Sequence, residues 1–236
     1  MSKQQRGLLI TFEGGEGGGK TTQIVRLKDR LVKAGYDVIA VREPGGTAIS
    51  EQIREVVLSN KNVGMSFTSE VLLFQAARAQ IYREIVLPAL KLGKVVLMDR
   101  SRDSSVVYQG IVRGFGVKLI DQLNDVSTKK TYPDITFLLD VPVEIGLKRR
   151  MESGETNRLD MESNDFHEQV RQAYLKLAKD DQKQRGNKSR WQIIDAAPDL
   201  ATVEQNLWER IEQLLADKDL TQWQDELGDV TVEYSE

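Results

Sequence analysis

Residues 8–22 read Leu-Leu-Ile-Thr-Phe-Glu-Gly-Gly-Glu-Gly-Gly-Gly-Lys-Thr-Thr, and no other stretch constrains the fold as tightly. Gly14 through Thr21 fit the pattern G-x-x-x-x-G-K-[ST]. The apolar run Leu8–Phe12 ahead of it has strand character, and the run Thr21–Lys33 behind it has helix character. That strand–loop–helix context separates a phosphate-binding loop from an ordinary mobile glycine-rich turn. Glycines let successive backbone N–H groups converge on phosphate oxygens, and the helix N-terminus adds positive potential. Lys20 is then set to reach the β/γ-phosphates of a nucleoside triphosphate, and the Thr21 hydroxyl to ligate Mg²⁺. Gly14, Gly15, Glu16, Gly17, Gly18, Gly19, Lys20, Thr21 and Thr22 form the expected triphosphate-binding set.

Four more short apolar runs follow at Asp37–Val41, Lys94–Met98, Ile135–Leu139 and Trp191–Ile194. They are rich in Val, Ile and Leu, as strands covered on both faces are. Between them lie helical patterns at Ser50–Ser59, Ser66–Leu92, Val117–Val126, Glu144–Met151, Phe166–Lys183 and Leu200–Ala216. Pro88 inside the long second pattern predicts a kink or a fresh turn. Strands alternating with helices predict an α/β fold of the P-loop NTPase type: a five-stranded parallel sheet flanked by helices, joined by right-handed crossovers. The polar stretch Ser153–Asn164 lacks apolar periodicity and predicts a short mobile lid, over about 149–164. The expected organisation is one domain over 1–216 with an acidic tail over 217–236.

The chain of 236 residues carries a net charge of −3 and 40 % apolar residues, which suit a real core and give no basic field for nucleic acid. It has no cysteine, so disulfides and thiolate chemistry are excluded. The polar N-terminus Met1–Gly7 lacks a signal-peptide core, and no apolar run approaches the roughly 18–20 residues that span a bilayer. The expectation is a soluble, cytoplasmic protein without a membrane or nucleic-acid partner.

Several polar residues sit at predicted strand ends, the edge of a parallel sheet where ligands bind. Val95–Asp99 is an apolar run ending in an acid, so Asp99 is the candidate carboxylate facing Mg²⁺, directly or through water. A strand-terminal Asp can also cap the next helix. Arg100 beside it favours the ligand reading, because its fork suits phosphate. Arg42-Glu43-Pro44-Gly45-Gly46 follows another strand, with a sharp turn to hold Arg42 and Glu43 in the cleft. Arg54, Arg78, Arg149, Arg150 and Arg158 complete a set of arginines that makes sense around two phosphate groups.

At this point the chain resembles the thymidylate kinases. The resemblance rests on Phe12-Glu13-Gly14 with the phosphate loop, Arg42-Glu43-Pro44-Gly45-Gly46, Leu73-Phe74-Gln75-Ala76-Ala77-Arg78, Asp99-Arg100, Asp103-Ser104-Ser105 with Tyr108-Gln109-Gly110, Tyr132-Pro133-Asp134 and Asn157-Arg158-Leu159-Asp160. It implies transfer of the γ-phosphoryl of ATP to dTMP with Mg²⁺, in a homodimer. It further implies that Phe74 stacks on thymine and that Arg78 and Gln109 bond the base edge. Arg42, Arg54 and Arg100 would lie at the acceptor phosphate, and Ser105, Tyr108 and Glu43 beside the sugar. Glu16 would face the acceptor's 3′-hydroxyl. Some relatives carry an Arg after that loop acid, where this chain has Gly17. The resemblance therefore moves the catalytic charge to the lid, to Arg149 and Arg158, alongside Lys20 and Arg100. Ser101 stands where relatives commonly have a larger residue. His167, the only histidine, reads as structural.

Overall fold

A computed structural model of the chain describes residues 6–154 and 156–218. Five parallel strands form one sheet in the order β2-β3-β1-β4-β5. They are β1 Leu9–Glu13, β2 Val38–Arg42, β3 Val95–Asp99, β4 Ile135–Asp140 and β5 Trp191–Asp195. The phosphate loop leads from β1, the central strand, into α1 (Lys20–Lys33). Each strand runs one residue further than its apolar pattern predicts and ends on a polar residue: Glu13, Arg42, Asp99, Asp140 or Asp195. Hydropathy marks where side chains are buried, whereas the backbone ladder continues to the crevice, pairing Arg42 with Asp99 and Asp140 with Asp195.

Two apolar layers clamp the sheet. On one face, Ile24, Leu27 and Leu31 of α1 and Leu207, Trp208 and Ile211 of α9 (Leu200–Lys218) pack on Leu8, Ile10, Phe12 and Phe137. On the other, Ile81, Tyr82, Val86 and Leu90 cover Leu9, Val96 and Met98. Tyr174 and Val170 of α8 (Asn164–Arg185) cover Leu138. Burying such side chains supplies about 1.5–3 kcal/mol each before conformational entropy is charged. Among the described residues, no helix is long and apolar enough to cross a membrane.

The remaining helices are α2 (Ala48–Leu58), α3 (Phe67–Ile81), α4 (Leu87–Lys91), α5 (Arg102–Ser105), α6 (Val117–Ser127) and α7 (Val143–Glu152). The pattern over Ser66–Leu92 is three pieces: α3, one π-helical turn at Tyr82–Val86, and α4 with Pro88 in its first turn. The wider turn absorbs the proline's missing N–H and ring without a break. The segment 102–112 has no predicted element yet is helical, its second half π-helical over Val106–Val112. Paired β-branched Val106 and Val107, the serines and Gly110 weaken its helical signature. The acidic tail beyond Lys218 lies outside the described residues.

Candidate active site

The carboxyl ends of β1, β2 and β3 open into a cavity of about 700 Å³. The phosphate loop forms one end, with Glu16 through Thr22 on its wall. Lys20 is buried, and its Nζ donates to the loop carbonyls of Gly14 and Gly15 at 3.2 and 2.7 Å. Burial, reinforced by the charge of Arg100, pulls its pKa down to about 8, against the opposing pull of Glu16, Asp99 and Glu13. The Thr21 hydroxyl donates to Asp99 Oδ2 at 2.6 Å. Two hard oxygen ligands side by side on the cavity wall suit Mg²⁺, which keeps several waters and is shared with substrate phosphates. No cluster of three acids or imidazoles that could cage a metal exists among the described residues, so any ion here is completed by ligand and water.

Gly17 has a reason beyond flexibility. Its φ is +65°, and a Cβ there would lie 1.9 Å from the carbonyl oxygen of Gly146 on α7. A Cβ on Gly146 would meet the Glu16 carbonyl oxygen at 2.3 Å. Loop and α7 thus touch backbone to backbone through two glycines, and no side chain fits at Gly17.

Arg100 joins the two ends of the cavity. Its φ of +62° is unusual for a non-glycine residue, and such strain collects at functional sites. Nη1 donates to Gly14 O at 2.9 Å and Nη2 to Glu16 Oε1 at 2.6 Å, while its guanidinium lies 5.4 Å from the Tyr108 ring centroid. Burial pushes the Glu16 pKa up, but Arg100, Lys20, Arg150 and His167 outweigh it and hold the carboxyl at about 2. Tyr108 Oη donates to the same Glu16 oxygen at 3.3 Å.

The far end of the cavity is lined by Arg42, Glu43, Arg54, Phe74, Ser105, Tyr108 and Gln109. Arg42 and Arg54 both donate to Pro44 O, at 3.0 and 2.8 Å, which gathers two cations on the wall of the cavity that Arg100 also lines. Phe74 is half-buried on the wall. Arg78 is 1 % exposed and lies behind the wall. Its fork is occupied by Glu43 Oε2, Ser105 Oγ, Asn124 Oδ1 and Ser101 O at 2.7–3.0 Å. As placed, it braces Glu43 and Ser105 and does not itself face a ligand. Burial raises the Glu43 pKa while Arg78 lowers it, and Glu43 Oε1 is buried without a partner beside the cavity.

The two lid arginines separate. Arg149 lines the cavity, donating to Ala196 O and Ala197 O at 2.8 and 2.9 Å, and Arg150 lies beside it, bonded to Asp160. Arg158, expected alongside Arg149 as a catalytic cation, does not line the cavity. It is 6 % exposed and donates to Val57 O and Glu70 Oε2. The burial of an acid at position 70 draws this cation inward. Glu70 and Asn124 are hub residues that motif reading passed over, and Glu13 is one whose motif gave it no role. The signal for Glu70 was its spacing of four from Phe74 and of eight from Arg78, on one helical face. His167 is 5 % exposed and packs edge-on against Phe166 at 5.7 Å.

A phosphate loop beside an arginine-lined second compartment, on a sheet of this order, defines a P-loop nucleotide kinase. The family model described as thymidylate kinase matches residues 12–207. The thymidylate kinase of Thermoanaerobacter sp. (strain X514) is 41 % identical over 210 residues, covering 89 % of this chain and 100 % of that one. That of Geotalea uraniireducens (strain Rf4) is 48 % identical over 181 residues, covering 74 % and 85 %. The crystal structure of thymidylate kinase from Ehrlichia chaffeensis superposes with a TM-score of 0.69 at 33 % identity, over 88 % of this chain and 99 % of that one. The chain belongs to the thymidylate kinase family, the kinases that phosphorylate dTMP to dTDP in dTTP synthesis.

Proposed function

We propose that this chain, in the cytoplasm and as a homodimer, transfers the γ-phosphoryl group of ATP to dTMP with Mg²⁺. The observation that carries this reading is one cavity with a phosphate loop at one end, Arg42 and Arg54 at the other, and the Glu16–Arg100 pair between them. ATP phosphates lie on the backbone N–H groups of Gly14–Thr22. Lys20 leaves the Gly14 and Gly15 carbonyls for the β- and γ-phosphates. Arg42, Arg54 and Arg100 take the acceptor phosphate. Phe74 stacks on the base, Gln109 bonds its edge with Arg78 behind it, and Ser105, Tyr108 and Glu43 border the sugar. Glu16, kept ionised, accepts from the 3′-hydroxyl. Mg²⁺, held by Thr21 and Asp99, supplies charge neutralisation on the triphosphate. Phosphoryl transfer asks little covalent chemistry of the protein, so positioning and positive charge do the catalysis. Arg149, with Arg150, delivers lid charge over the transferred group, and Arg158 anchors the lid.

Purified protein with ATP and Mg²⁺ tests this. Turnover of dTMP is expected to exceed that of AMP, GMP or CMP by at least about a hundredfold, as a site that leaves wrong partners unpaired achieves. Equal rates, or ATP hydrolysis without transfer, would overturn it.

A further inference from the structure

Glu70 of α3 is 1 % exposed and divides its two oxygens. Oε2 accepts from Arg158 Nη2 at 2.7 Å, and Oε1 accepts from Gln109 Nε2 at 2.9 Å. Arg113 Nε lies 3.8 Å from Oε1, beyond hydrogen-bond range, and its guanidinium is already paired with Glu162. A carboxylate held by a guanidinium accepts and does not donate, so the end of the Gln109 amide turned toward it is the NH₂. The amide carbonyl therefore points the other way. Gln109 is 2 % exposed yet lines the cavity, and among the described residues its carbonyl oxygen accepts no hydrogen bond.

We propose that Glu70 is the positioning residue that sets base specificity. By holding the Gln109 NH₂, it makes the cavity present an acceptor. That acceptor selects a base edge bearing a ring N–H, the imide of thymine or uracil, over one with a bare ring nitrogen, as in cytosine. The inference rests on the reading of Gln109 as a base contact. The same carboxylate also anchors the lid, because Arg158 reaches it while bonding Val57 O and Leu58 O. Lid seating and base polarity thus share one buried acid.

Glu70→Gln is the discriminating variant. Arg158 donates, so it draws the new carbonyl toward itself and leaves the new NH₂ facing Gln109. Gln109 can meet that donor only with its own carbonyl, and its amide turns over to present a donor to the cavity. The ratio of kcat/KM for dTMP to that for dCMP is expected to fall at least about tenfold, chiefly through the acceptor KM, with the KM for ATP unchanged. Partial misfolding lowers both substrates together and leaves the ratio alone. An unchanged ratio in active Glu70→Gln overturns the inference, whereas wild-type protein that fails to phosphorylate dTMP overturns the underlying reading first. Should the variant not fold, wild-type binding of dTMP against its N3-methyl analogue decides. At least about a tenfold loss on methylation is expected, and equal affinity overturns the proposal.

Discussion

Glu13 closes β1 directly beneath the cavity floor, fully buried. It accepts from Ser101 N at 2.8 Å, from Ser104 Oγ at 2.6 Å and from Tyr174 Oη at 2.7 Å. Burial, with the negative charge of Asp103, pushes its pKa up to about 7, against Ser104, Tyr174 and Arg100. Between the ordinary carboxylate value near 4.5 and about 7, the native protein therefore binds more protons than the unfolded chain. Stability contributed at this site is present at the acidic end of that window and is lost as pH rises through it, by up to about 3 kcal/mol. Glu13→Gln removes the titration, so its Tm is expected to fall less steeply than that of the wild type between pH 5 and pH 7.5. Parallel Tm–pH curves would remove Glu13 from the account. Glu13 also shows where residue reading stops. It is visible in the sequence as one letter of a motif, but its partners at positions 101, 104 and 174 come together only when β1, β3 and α8 assemble. The placement of Arg158 away from the cavity was hidden for the same reason. A charge in a polar stretch reads as solvated or catalytic, and the acid that buries it lies 88 positions away. Lys20, Thr21, Asp99 and Arg100 were legible because the phosphate loop and the strand end that place them are local.

At the scale of elements, α7 touches the phosphate loop backbone to backbone at Gly17 and Gly146, which would couple the proposed lid to that loop. In an exposed helix, Gly→Ala stabilises by about 1 kcal/mol. At Gly146 the added Cβ must displace the Glu16 carbonyl, so the opposite sign is expected. Gly146→Ala should lower kcat/KM for ATP at least about tenfold and fail to raise Tm, overpacking of this kind costing about 1–3 kcal/mol. A stabilised, fully active variant would mean that α7 does not bear on the loop. The same helix carries Arg149 near its end, and the lid arginines should differ. Arg149→Ala is expected to lower kcat about 10–100-fold with the KM for dTMP little changed, the mark of an interaction made in the transition state. Arg158→Ala strands Glu70 and should lower Tm and raise the KM for dTMP. Identical effects on kcat alone would return Arg158 to a catalytic role. The strands and most helices were readable because burial on both faces leaves uniform apolar runs. The helical stretch 102–112 was not, because its conformation is held by tertiary partners. Arg102 is 1 % exposed, bonded to Asp125 and stacked 3.7 Å from the Tyr132 ring.

At the scale of the whole molecule, the back of α3 is the surface that would carry the proposed homodimer. α3 packs between α2 and α6. Its inner face carries Glu70 and Arg78, while Leu72 on its outer face is 56 % exposed. Ile49 and Val56 on α2 and Leu119 and Val126 on α6 are exposed as well, from 46 to 80 %. Thr68, Ala76 and Ala79 continue the stripe of Leu72 with short side chains that permit close helix approach. We propose this surface as the one the homodimer would use; a stable pair needs about 800 Å² from each subunit. A charge at the centre of such a patch leaves an ion desolvated against its symmetry mate, so Leu72→Glu is expected to be a folded monomer by sedimentation equilibrium. Because α3 carries proposed base-site residues on one face and the proposed contact on the other, loss of the partner is expected to loosen the acceptor end first. The variant should show a raised KM for dTMP with the KM for ATP nearly unchanged, since the phosphate loop lies on β1 and α1 at the opposite side of the cavity. A dimeric Leu72→Glu would move the interface elsewhere. A monomer with unaltered KM for dTMP would separate assembly from catalysis, leaving α3 held by its packing on α2 and α6 within one chain.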